Sequence, residues 1–119
     1  MSTIIDRLNS LDLEEVLKAA IAAAKVSAGG EWNEIREFAK KAAKNLLNSG
    51  VMVAKLLAEN SITEGDARQL AEEEKIVVRM QLRTFAGVAL VTAQNVFNAV
   101  MGVVKETING VIGLANPIF

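Results

Sequence analysis

Fourteen acidic residues and no histidine bound the chemistry this chain can hold. The carboxylates available to converge are Glu31, Glu34, Glu64, Asp66 and the run Glu72-Glu73-Glu74. A di-metal site in a helical bundle needs inward-facing glutamates together with Glu-x-x-His pairs. The nitrogen ligands of that arrangement are missing, since the sequence has no histidine. Three consecutive glutamates on a helix also point in three directions, about 100° apart. Arg68 stands four residues before Glu72 and Lys75 three after it, the spacing of a solvated, ion-paired face. The expectation is no resident metal and no cofactor.

Nucleophilic chemistry is narrowed in the same way. Without cysteine or histidine, Ser-His-Asp and Cys-His arrangements cannot be assembled. Disulfides and thiolate metal sites go with them. A lysine or glutamate acting alone has no pattern to nominate it, so the chain reads as non-enzymatic. Lys40, Lys41 and Lys44 form a small basic cluster, but no aromatics are interleaved and the net charge is −1. No nucleic-acid partner is expected from that balance. Gly29-Gly30 precedes a helical pattern, yet the further glycines, the lysine and the preceding strand of a phosphate loop are absent. A helix stop accounts for it. Trp32, the only tryptophan, reads as a packing residue at a helix start rather than a partner anchor.

The elements that position these residues are helical throughout. The 119 residues make one domain, 1–119, of which 51% are hydrophobic, mostly Ala, Val, Leu and Ile rather than aromatic. Thr3 to Leu8 reads as one turn of helix. A first full helix spans 12–28, with Asp12 and Glu15 at capping-box spacing and Leu11 and Val16 placed as a hydrophobic staple. Ser27-Ala28-Gly29-Gly30 ends it. A second helix spans 31–59, its apolar stripe running through Ile35, Ala39, Ala42, Leu46, Val53 and Leu56. Gly50 falls on the apolar side, where a glycine costs about 1 kcal/mol against alanine and suggests a close helix crossing. Ser61 with Glu64, or Thr63 with Asp66, caps a third helix. With no proline before Pro117, that helix is free to run over 63–114. The expected fold is an all-α bundle: a long antiparallel hairpin of 31–59 against 63–114, with helix 12–28 alongside. A fifty-residue helix is ~75 Å long. It overhangs onto another subunit, bends around Gly102, or ends near Gly110 and Gly113.

Within that third segment, Thr84 to Val104 carries no charge and lies between Arg83 and Lys105. Its length permits a bilayer span, so membrane insertion through 84–104 is the alternative to a bundle core. At 100° per residue, Phe85, Ala89, Thr92, Val96, Ala99 and Val103 share one meridian. Gly87, Gln94, Asn98 and Lys105 share the opposite one, leaving a polar wedge that is costly at mid-bilayer. In the soluble reading Gln94 and Asn98 meet water or the amide groups of a neighbouring helix or chain, with Phe85, Val96, Val103 and Gly50 as the other interface or register residues. So much apolar content points to a homo-oligomer, most simply dimer-based. The functional expectation is a structural or interaction protein, a scaffold or assembly subunit. A bundle that binds an apolar small molecule is a further alternative. MSTIIDRLNS lacks the pattern of a signal peptide, so the expected location is cytoplasmic.

Overall fold

A computed structural model describes residues 3–84, 87–113 and 117–119, and among them every regular element is helical. The elements are α1 (Ile4–Asn9), α2 (Leu13–Ala28), α3 (Trp32–Ala58), α4 (Glu64–Arg83) and α5 (Leu90–Ile112). A single 3-10 turn, Gly29–Glu31, joins α2 to α3, so helical backbone runs almost unbroken from Leu13 to Ala58 and packs against α4 and α5. Laid straight, that run is ~69 Å at 1.5 Å per residue, whereas the longest extent of the molecule is 45 Å. The run therefore turns. It does so at Gly29, whose φ of 56° lies in the left-handed region that favours glycine.

Local chemistry explains the helix starts. Thr3 and Asp6, and again Thr63 and Asp66, exchange side-chain and backbone hydrogen bonds as complete capping boxes. Asp12 accepts from the Glu15 amide at the head of α2, with Leu11 and Val16 packed against the core. Ala20, Ala24 and Ala28 of α2 are buried at four-residue spacing. They form one ridge of small side chains, which lets α2 lie close along α5. Ile35, Ala39, Leu46 and Val53 of α3 supply the middle of the core, and Val96, Val100, Val104 and Ile108 of α5 meet them.

The segment expected as one helix over 63–114 is two. α4 ends at Arg83 with Thr84 as its cap; α5 begins at Leu90, after the extended backbone of Ala89 at ψ 148°. Phe85 and Ala86 fall outside the described residues. Gly102, one of the expected bend points, lies inside an unbroken helix, and Gly113 closes α5 in a left-handed conformation. The start of α5 is held by a carboxylate from elsewhere in the chain. Glu31 reaches across from the start of α3, accepting from the Ala89 amide at 3.0 Å and from the Thr92 hydroxyl at 2.7 Å. It does for α5 what Thr3, Asp12 and Thr63 do for α1, α2 and α4. Each half of the former long helix then packs on α3, with no overhang to bury. The stretch 84–104 is correspondingly divided, and no helix among the described residues is long and apolar enough to cross a membrane.

Candidate interaction surface

The expected site residues sort into two groups. Gly50 is buried, and a Cβ there would stand 2.6 Å from Cγ1 of Ile108, so α3 and α5 meet at this glycine. Val96 is fully buried and Val103 only half-buried against the same core. The buried side of α5 is thus turned from the expected meridian toward Phe97, Val100, Val104 and Ile108. Gln94 and Asn98 face outward and bond to each other, Gln94 Nε2 donating to Asn98 Oδ1 at 2.9 Å. Gln94 is half-buried and Asn98 exposed. Phe85 lies outside the described residues.

The polar clusters are ion-paired surface. Lys75 Nζ lies 2.9 Å from Glu72, Arg68 3.6 Å from Glu64, and Lys40 4.0 Å from Glu37. Among the described residues no three His, Cys, Asp or Glu side chains gather as they would to hold a metal. Trp32 is half-buried and packs on the core. The Glu31 carboxylate is held below the ordinary carboxylate range by the Thr92 hydroxyl first and the Ala89 amide second. Two further clamps close the bundle. Arg7 Nε donates to Val111 O at 2.6 Å and Nη2 to Ile112 O at 3.2 Å, placing a cation on the terminal carbonyls of α5. Asn109 Oδ1 accepts from the amides of Ile118 and Phe119, and its Nδ2 donates to Phe119 O at 3.0 Å. Ile118 and Phe119 are buried as a result.

The feature that sequence reading missed is the outer side of α4. Its inner side is Ala67, Ala71, Val78 and Leu82, all buried. Its outer side carries Ile76 and Met80, 50% and 60% exposed, with Leu70 and Val77 at the edge toward α3. Between α3 and α4 runs an open groove. One stretch, about 280 Å³, is lined by Met52, Val53 and Leu56 against Leu70, Glu74 and Val77. A second, about 380 Å³, lies between Phe38, Lys41 and Asn45 and the facing Gln81 and Leu82. A helical wheel drawn on 64–83 alone carries the signal, because its apolar residues occupy two arcs and not one. Comparison of the chain with family models, with curated proteins and with solved structures finds no match.

Proposed function

We propose that the chain is a non-enzymatic helical scaffold or assembly subunit whose working form is a homo-oligomer built from dimers. In this reading α3 and α4 form an antiparallel hairpin, α5 returns along α3, and α2 packs alongside. The observation that carries it is the two-sided apolar character of α4. A helix on the surface of a monomer needs one apolar stripe, and Ala67, Ala71, Val78 and Leu82 already supply it. Ile76 and Met80 on the other side contribute nothing to the core of one chain; burial against a second subunit gives them a use. The Gln94–Asn98 pair belongs to the same proposal as a register device, its two amides bonded to each other and offered to a neighbouring chain.

Light scattering on size-exclusion chromatography, with and without detergent, tests the reading. The expected result is one assembly, a small multiple of the 12.7 kDa chain mass, unchanged by detergent. A folded species at the chain mass, or recovery only in detergent, counts against it.

A further inference from the structure

Resting on the self-assembly just proposed, we infer that two copies pair by exchanging the arm made of α1 and α2, with Gly29 as the hinge. In a single chain this arm folds back. Glu31 at the head of α3 meets Ala89 and Thr92 at the head of α5, and Gly50 meets Ile108, so α3 and α5 run parallel. Arg7, at the far end of the arm, meets Val111 and Ile112 at the tail of α5, so α2 runs antiparallel to both. Only the connection Gly29–Glu31 separates this hairpin from one straight helix. Gly29 stands at φ 56° and ψ −127°. On either side of it Ala28, at φ −76° and ψ −26°, and Trp32, at φ −56° and ψ −43°, are helical, and Glu31 has a φ of −94°. One residue must turn over to make the helix continuous, and glycine takes either sign of φ without steric cost.

Two features of the chain fit the straight form. Counted at 100° per residue straight through the glycines, Ala20, Ala24, Ala28, Ile35, Ala39 and Leu46 fall within an arc of about 100°. All six are buried. A turn imposes no common phase on the stripes at its two sides; a continuous helix does. The head of α3 also has no side-chain cap, whereas Thr3, Asp12 and Thr63 cap α1, α2 and α4. In a straight helix the last carbonyls of α2 accept from those amides.

Straightening carries the arm off its own α5 and leaves its seat open. The segment shaped for that seat is the same arm of a second copy. About a two-fold axis through the hinges, the long helices lie side by side and antiparallel. α2 of each copy then packs on α3 and α5 of the other, and Arg7 of each reaches the Val111 and Ile112 carbonyls of the other. The contacts of the arm are made again between chains, so the turn itself decides between the closed chain and the exchanged pair.

The direct test mixes ¹³C-labelled and unlabelled whole chains in urea, refolds them together and records isotope-filtered NOEs. The expected result is contact between chains from the methyls of Ala20 and Ala24 to side chains of α5. A dimer in which those contacts arise only within a chain overturns the exchange and leaves self-assembly standing. A native chain that sediments as a folded monomer removes both this inference and the reading beneath it. Sedimentation equilibrium of two variants tests the hinge. Alanine is strained at the φ of Gly29 and favoured in a straight helix, and each pair holds two hinges. Gly29→Ala should therefore lower the dissociation constant at least about a hundredfold. Gly30 has no positive φ and nothing within 4 Å of a Cβ, so Gly30→Ala should stay within about tenfold of the native chain. A folded Gly29→Ala chain that associates no more tightly than Gly30→Ala overturns Gly29 as the hinge. Should Gly29→Ala lose its helical circular dichroism, the NOE experiment on the native chain decides alone.

Discussion

Replacing Gly50 by alanine sets two effects of known sign against each other. Alanine in mid-helix gains about 1 kcal/mol over glycine. The new Cβ, however, would stand 2.6 Å from Ile108 Cγ1, 3.1 Å from Cδ1 and 3.5 Å from Cβ. Ile108 is fully buried, so it cannot swing into solvent, and Cγ1 is too near its own backbone to move alone. Overpacking of this kind costs about 1–3 kcal/mol. The balance is a loss of about 1 kcal/mol, which in a domain of this size lowers Tm by roughly 3–6 °C. Gly102 is the internal control, because it lies in the same bundle, in mid-helix, with nothing within 4 Å of a Cβ. Gly102→Ala should raise stability by about 0.5–1 kcal/mol. The same chemical change thus has opposite signs at two positions. Urea unfolding followed by circular dichroism reads both, and a Gly50→Ala/Ile108→Ala cycle should show at least about 1 kcal/mol of favourable coupling. If Gly50→Ala stabilises as much as Gly102→Ala, the close crossing of α3 and α5 is wrong.

Three other perturbations address the clamps. The Glu31 carboxylate has a folded pKa lowered by the Thr92 hydroxyl and the Ala89 amide, so its contribution is complete above the ordinary carboxylate range and is lost as pH falls below it. Glu31→Gln should unfold at lower denaturant at neutral pH and lose less stability than the native chain on acidification; equal slopes with pH would argue against the clamp. Asn109→Ala removes three hydrogen bonds to Ile118 and Phe119, at about 1–3 kcal/mol, and amide exchange at 118 and 119 should quicken ahead of exchange in α5. Arg7→Ala strips the cation from the Val111 and Ile112 carbonyls and should cost about 1–2 kcal/mol in thermal unfolding, with Arg7→Lys recovering part of it.

Helix type and most helix ends were legible in the sequence because their causes are local. Asp12, Thr63 with Asp66, the Gly29-Gly30 stop and Gly113 each act within a few residues of the helix they bound. The break between α4 and α5 was not legible, because its cap comes from Glu31, 58 residues before Ala89. Nothing in the stretch 84–90 announces a helix start by itself. The rotation of α5 was half-visible for a related reason. Val96 is buried, but so are Phe97 and Ile108, and Ile108 sits against Gly50 of α3, which a wheel drawn on one helix cannot register. The exposed apolar residues of α4 were present in the sequence as a second arc. They went unread because 63–114 was treated as one helix, and the faces of a fifty-residue wheel blur as its register drifts.

Self-assembly through helix faces is tested most directly by the mass of the native chain at equilibrium as it is diluted. Sedimentation equilibrium from micromolar to nanomolar concentration, with helical content followed in parallel, should give a dimer-based mass at the upper end. Dissociation on dilution should carry a loss of helix or of cooperativity. A folded, monodisperse species of 12.7 kDa at every concentration would contradict it.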